Sequence, residues 1–293
     1  MITIVGGTGR LGRLVAAQLV SHGHQVRVVA RSRPAVPVPG TEFVAADVRR
    51  PETLPAALEH ATVVVSAMHG FDPGSGESPA AVDRDGNTNL FVAGRRAGAH
   101  IVLMSVVGAA PGHPMELHRM KAAAEQALRT GQLDPDRPDW TIVRASAFAE
   151  LWAEILMQLA GRNGVPKVFG SGTNRLNFVS VEDVTAAVTR AVLDPTLRGQ
   201  AIDVGGDDLT MTQLAQHASG RAEVGHIPRV ALRAVSLAMR PIRPAQARVA
   251  TSALLMDQID LTFDPGPARA AQPWLPTTKV TDALDAQRCA KLR

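Results

Sequence analysis

The chain contains no tyrosine and a single cysteine. The first absence excludes any mechanism in which a phenol carries a proton. The second excludes an internal disulfide, and Cys289, near the C-terminus, fits a reducing compartment. Aromatic residues make up only 3%. The net charge of +4, from 31 basic and 27 acidic residues, is scattered, with local pairs at Arg49-Arg50 and Arg95-Arg96. Nucleic-acid surfaces need a basic stripe, often with stacking aromatics, so that partner class is set aside. No apolar run reaches the length of a bilayer-spanning helix. The N-terminus enters an apolar strand at once, leaving no room for a signal peptide, so the expected location is cytoplasmic. Nine histidines show no ligand spacing: His22-x-His24 falls at a turn, and His113 and His118 flank Pro114. No metal is expected.

What is present is concentrated at the start. Met1-Ile-Thr-Ile-Val5 runs into glycines at 6, 7, 9 and 12, followed by an amphipathic stretch with apolar residues at 11, 14, 15, 19 and 20. Strand, tight turn and helix around Gly7-x-Gly9-x-x-Gly12 make a dinucleotide fingerprint. Glycine permits the sharp turn, the approach of backbone N–H groups to a pyrophosphate, and close helix–strand packing. The helix N-terminus supplies unpaired donors and partial positive charge.

The second strand, Gln25 to Ala30, ends in Arg31-Ser32-Arg33-Pro34. An NAD site places an acidic residue about twenty positions beyond the loop, on the ribose 2′-hydroxyl. This chain has no Asp or Glu between Met1 and Thr41. Guanidinium forks suit a 2′-phosphate, so the expected cofactor is NADP(H).

Further strands read at 42–48, 62–66, 100–107 and 140–144, with helices at 51–59, 82–97 and 114–129 between them. The apolar run Thr62-Val-Val-Val-Ser66 belongs to a strand buried on both faces. Alternation of this kind predicts an α/β fold, a doubly wound parallel sheet of Rossmann type. Beyond Ala145 the pattern changes. An apolar helix (148–160), a glycine-rich stretch (161–172), a strand into a helix (178–193), a strand (200–204) and a tail helical in pieces suggest a smaller, mostly helical substrate lobe. The expected division is 1–146 with 178–205 for the cofactor domain, and 147–177 with 206–293 for the substrate lobe.

The motifs resemble those of the NmrA-like, atypical branch of the short-chain dehydrogenase/reductase superfamily. The marks are Gly6-Gly7-Thr8-Gly9-Arg10-Leu11-Gly12, Ala46-Asp47-Val48, Asp83-x-x-Gly86-Asn87-x-Asn89-Leu90 and Val102-Leu103-Met104-Ser105. Lys121-x-x-x-Glu125, Trp140 to Arg144 and Phe178 to Val184 complete the set, which spans Met1 to about Gly206. The resemblance implies that the turn from Gly6 to Gly12 and Arg31, Ser32 and Arg33 hold NADP(H). It implies further that Asp47 and Val48 contact the adenine, and that Ser66, Ala67 and Met68 line the cofactor. Ser105 would lie near the nicotinamide, Lys121 would bind its ribose, and Ala145, Ser146, Ala147 and Phe148 would lie beside the nicotinamide. The residues themselves leave plainer alternatives: Asp47 as a helix cap, Ser105 as a strand-end hydroxyl, Lys121 paired with Glu125.

One departure matters. Many relatives carry Tyr-x-x-x-Lys, and four residues before Lys121 this chain has Leu117. Candidates to replace the phenol are His118, on the same helical face as Lys121, then Lys121 itself, assisted by Ser105, and more weakly His69. Alternatively no protein acid is needed, where the reduced product is stabilised and water protonates it. Met68, His69, Phe71, Phe148, Trp152 and Phe178 are the expected substrate-facing set, with Ile155 read as core. The leading expectation is an NADPH-dependent reductase of a small hydrophobic, aromatic, quinone- or enone-type substrate. The alternatives are an NADP(H)-sensing regulatory protein without turnover and a non-redox isomerase, cyclase or dehydratase. Residues 230–256, apolar with interspersed arginines, are candidates for a pocket cover, a homodimer face or a membrane-surface contact.

Overall fold

A computed structural model describes residues 1–71, 76–132, 134, 136, 138–160 and 164–291. Contacts divide these into two compact units, the first built from 1–71, 77–144 and 184–203, the second from 76, 145–183 and 204–291.

The first unit is a seven-stranded sheet with helices. Its strands are β1 (Ile2–Val5), β2 (Val26–Ala30), β3 (Thr41–Ala45), β4 (Val63–Ser66), β5 (His100–Val106), β6 (Trp140–Ala145) and β10 (Ala201–Val204). They lie in the order β10-β6-β5-β4-β1-β2-β3, and the β1–β2, β2–β3, β1–β4 and β4–β5 pairs are parallel. The chain runs outward from β1 to β3, then returns to place β4 on the other side of β1. Open α/β sheets bind ligands at such a reversal, at the carboxyl ends of the strands. Val64, Val65, Ile101, Val102 and Leu103 are fully buried, which is why β4 and β5 read as continuous apolar runs.

Helix α1 (Arg10–Ser21) buries Leu11, Val15, Ala16 and Leu19 on one face. The expected 51–59 helix is a 3₁₀ turn (Pro51–Thr53) followed by the short α2 (Leu54–Ala57). The expected 82–97 helix is also composite. A π-helical turn (Ala80–Gly86) runs into α3 (Asn87–Arg96), and it buries Val82, Asp83 and Gly86. α4 (Glu116–Thr130) and α6 (Val181–Leu193) complete the layers.

In the second unit, β7 (Ala147–Phe148), β9 (Arg175–Val179) and β11 (Asp207–Thr210) form one small sheet. β8 (Lys167–Phe169) and β12 (Gly225–Ile227) form another. Helices α5 (Ala149–Gln158), α7 (Met211–Ser219), α8 (Arg229–Ala238), α9 (Pro244–Met256), α10 (Gly266–Ala271) and α11 (Val280–Lys291) supply the rest. The expected boundary at 178 falls inside β9, which pairs with β11 and β7 and belongs wholly to the second unit; the division comes at 184.

Asn177 and Asp257 fasten this unit. The Asn177 side chain donates to Asp208 Oδ1 at 2.7 Å and Phe263 O at 3.0 Å, and accepts from Gly206 N at 3.0 Å. Asp257 accepts from Ser171 N, Ser171 Oγ and Gly172 N at 2.9–3.1 Å, and from Arg229 Nε at 2.5 Å. Burial pushes its carboxyl up, but Arg229 and the Ser171 and Gly172 donors hold it below the usual range.

Candidate functional site

The β1–α1 turn is shaped by what each glycine would meet if it carried a Cβ. Gly6 has φ +82°, and a Cβ there would stand 2.7 Å from Ala67 O, just beyond β4. At Gly7 it would meet a Val28 methyl at 2.8 Å, and at Gly12 it would meet Gly6 O at 2.5 Å. Gly9 differs: its one near neighbour is Gly6 O at 3.3 Å. Gly6, Gly7 and Gly12 therefore close the turn on itself, on β2 and on the segment just after β4, while Gly9 leaves its outer side open. α1 begins with no side-chain cap and no acidic residue in its first turn. An uncapped, acid-free helix N-terminus behind an open glycine fits a pyrophosphate. Thr8 is half-buried and Arg10 exposed, whereas the Leu11 side chain is core, so only its backbone could serve a ligand.

At the end of β2 the expected arginines are present but engaged. Arg31 forms an ion pair with Glu77, and Arg49 Nη1 lies 2.9 Å from the same Glu77 oxygen. Arg49 also grips Asp47, with Nη2–Oδ2 at 2.5 Å, and this pairing holds the Asp47 carboxyl below its ordinary value. Two cations and two anions thus meet where the sequence promised bare positive charge. Ser32 is exposed, and Arg33 stacks over Phe43, 5.2 Å from the ring centre. The expected adenine contact through Val48 is left to its backbone. Its side chain packs in the core with Leu54 and Leu90, and its carbonyl accepts from Asn89 Nδ2 at 2.8 Å.

The floor of the sheet's carboxyl end is a closed polar network. Ser66 is fully buried and donates to Asn87 Oδ1 at 2.6 Å, so its hydroxyl does not line a cofactor. Ala67 and Met68 remain half-buried. Lys121, only 3% exposed, donates to Met104 O at 2.8 Å and Met68 O at 3.1 Å. Its Nζ also lies 2.9 Å from Asp83 Oδ1, in an ion pair off the hydrogen-bond line. Asp83 Oδ2 accepts from Gly70 N at 2.8 Å. The ammonium thus donates to two carbonyls, one just beyond β4 and one near the end of β5, and ion-pairs with Asp83 of the π-turn. The carboxylate partner of Lys121 is therefore Asp83, and not the Glu125 one turn on. Ser105 is 2% exposed and gives its proton to Glu125 Oε1 at 2.6 Å. Glu125 is meanwhile clamped by Arg144 at 2.5 and 2.8 Å. This carboxylate raises the Arg144 guanidinium's pKa further, while burial pushes the nearby Asp203 up.

His118 stacks on His113 with ring centres 4.0 Å apart, and its Nδ1 is enclosed with no hydrogen-bond partner. Burial, with some repulsion from His113, lowers its pKa to about 4. It is therefore neutral near pH 7, so the imidazolium is not its resting form. His100 is also lowered to about 4, chiefly by burial. In both cases the unfolded chain binds protons below about pH 6.5 that the folded chain refuses until about pH 4. Stability therefore falls as pH drops through that window. We expect the melting temperature to drop by on the order of 5 °C or more between pH 7 and pH 4.5. His118→Leu should flatten the slope, and a flat parent profile would refute the burial argument.

The residues expected to face substrate are divided between the units. In the first, Met68 and Phe71 are half-buried and His69 is exposed. In the second, Phe148 and Trp152 are half-buried, but Phe178 is completely buried in β9 and offers no surface, a correction. Ala145 is buried, Ala147 is half-buried in β7, and Ser146 Oγ is enclosed without a partner.

With this geometry in place, comparison with known proteins is informative. A model of the NAD(P)H-binding family matches residues 6–195, from the first turn glycine to the end of α6. The chain belongs to the NAD(P)H-binding family. It is 30% identical over 284 residues to the photosystem II assembly factor Ycf39 of Synechocystis sp., covering 91% of this chain and 83% of that protein. It is 27% identical to the NAD(P)H azoreductase of Xenophilus azovorans, covering 70% and 68%. An NADPH-dependent quinone oxidoreductase from Escherichia coli, solved with NADPH, superposes with a TM-score of 0.72 at 20% identity, over 98% and 100% of the two chains.

Among the described residues of this family member, no cluster of His, Cys, Asp and Glu could hold a metal, and no helix is long and apolar enough to cross a membrane. Glu77 and Arg49 carried no site signal in the sequence, while Asp83 and Glu125 were visible without their partners. Glu77 reaches Arg31 across 46 positions, which no local pattern encodes. Arg49 was visible only as half of a basic pair. Asp83 and Glu125 lay inside quoted motifs, and the tell-tale was a carboxylate near a lysine or arginine destined for burial.

Proposed function

We propose that this member of an NAD(P)H-binding oxidoreductase family is an NADPH-dependent reductase. It would deliver hydride to a small hydrophobic, quinone- or enone-type acceptor without a protein acid. The observation that carries this reading is the open side of Gly9 in front of an uncapped, acid-free α1 N-terminus at the sheet's reversal. Bound NADPH would supply the hydride. In this reading Gly6 to Gly12 hold the pyrophosphate, Arg31 and Arg49 take the 2′-phosphate once Glu77 yields, and Met68 and Phe71 offer apolar surface. Lys121 is a positioning residue that pins the ends of β4 and β5. With no tyrosine, a buried Lys121 held by two carbonyls and Asp83, and a neutral His118, this reading favours an acceptor whose reduced product is an anion that water can protonate. The quinone and azo relatives support that substrate class. Turnover of NADPH with a quinone and enone panel tests it, and binding without turnover on any acceptor would overturn it.

The committed Lys121 also favours a second reading, a coenzyme-sensing protein without turnover. Such a protein would hold a partner with an affinity that follows the NADPH/NADP ratio.

The Glu77 carboxylate makes the coenzyme preference testable. Removing its charge leaves Arg31 and Arg49 for the phosphate, so Glu77→Gln should tighten NADPH by about three- to tenfold and leave NADH nearly unchanged. Fluorescence titration of both coenzymes checks this. An equal shift for the two would contradict the assignment of this cluster to the 2′-phosphate.

A further inference from the structure

Helix α8 is amphipathic in the wrong sense for a helix buried by its own chain. Only Leu232 and Ser236 are buried, and they share its inner face one turn apart. Its first residue, Arg229, is fastened to Asp257. The rest of its surface carries Val230, Ala231, Ala234, Val235, Leu237 and Ala238, all exposed, and the following turn adds Ile242. Val230 is 77% exposed, Leu237 66% and Ile242 72%, among the most exposed large apolar side chains of the protein. On the helical wheel, Arg229 and Arg233 line one margin of this stripe, and Arg240 and Arg243 follow in the turn beyond Ala238. Between Glu223 and Asp257 there is no acidic residue and no lysine, while arginines stand at 229, 233, 240, 243 and 248.

We propose that this face docks the protein on an anionic lipid surface. Val230, Leu237 and Ile242 would enter the headgroup–acyl boundary, with Arg233, Arg240 and Arg243 among the phosphates. Charge decides between this occupant and a second copy of the chain. A two-fold contact through the stripe would bring the arginine margins together with no local carboxylate to answer them. A layer of acidic headgroups complements them. The inference is independent of the coenzyme reading.

The test is co-sedimentation of the full chain with phosphatidylcholine vesicles, with and without phosphatidylglycerol, at low and high salt. The expected result is binding to the anionic vesicles only, weakened by salt. Leu237→Glu should abolish it. Arg233→Gln with Arg240→Gln should weaken it by about twentyfold, since each cation near the surface contributes about fivefold. Val92→Glu, an exposed change on α3, should leave it intact, and melting curves confirm that each variant is folded. The proposal is overturned if anionic vesicles capture no more protein than neutral ones, or if Leu237→Glu binds like the parent. It is equally overturned if sedimentation velocity reveals a dimer that Leu237→Glu dissociates.

Discussion

Gly9→Val should lose dinucleotide binding by a hundredfold or more, yet melt within a few degrees of the parent. A side chain at Gly9 meets little of the protein itself, only Gly6 O at 3.3 Å, so the fold tolerates it. The same side chain fills the space in front of α1 through which a pyrophosphate reaches the backbone donors, and each lost charge-assisted bond weakens binding further. Gly12→Val makes the contrasting case. Its Cβ would lie 2.5 Å from Gly6 O and 2.7 Å from Gly7 Cα, so stability and binding should fall together. Calorimetric titration of nucleotide-stripped protein, with melting curves, separates the two. If Gly9→Val bound NADPH like the parent, the turn would not be the phosphate site.

Lys121→Met should destabilise the protein by about 3–5 kcal/mol, because it strands the Asp83 carboxylate in a fully buried position. Combining it with Asp83→Asn should recover part of the loss. The amide keeps an acceptor for Gly70 N while removing the unpaired charge. Urea unfolding of the two single variants and the double variant measures this coupling. A Lys121→Met protein as stable as the parent, but impaired in coenzyme binding, would instead support a ribose-binding role for Lys121.

The contrast between these residues shows what a sequence can carry. The turn was legible because its glycines, strand and helix are contiguous, and each obeys a local steric rule. The buried strands were legible as apolar runs. The helix expected over 82–97 was right in place but not in winding. Asp83 and Asn87 reach Lys121 and Ser66 through a π-turn, and the requirement comes from tertiary partners. β8 and β12 are three residues each, shorter than any period can register. Ser105 and Lys121 were found as polar residues in motif positions, but a motif does not say whether a polar group faces a ligand or a buried carboxylate. Phe178 failed for a related reason. An aromatic near a crevice in sequence is indistinguishable from one whose ring lies wholly in the interior.

The bridge that Glu77 makes between Arg31 and Arg49 gives coenzyme capture the character of an ion exchange. An incoming phosphoryl group replaces a resident carboxylate instead of settling on uncompensated cations, so few counterions are released. The parent's affinity for the phosphorylated coenzyme should therefore vary little with ionic strength, while the glutamine variant acquires a steep dependence.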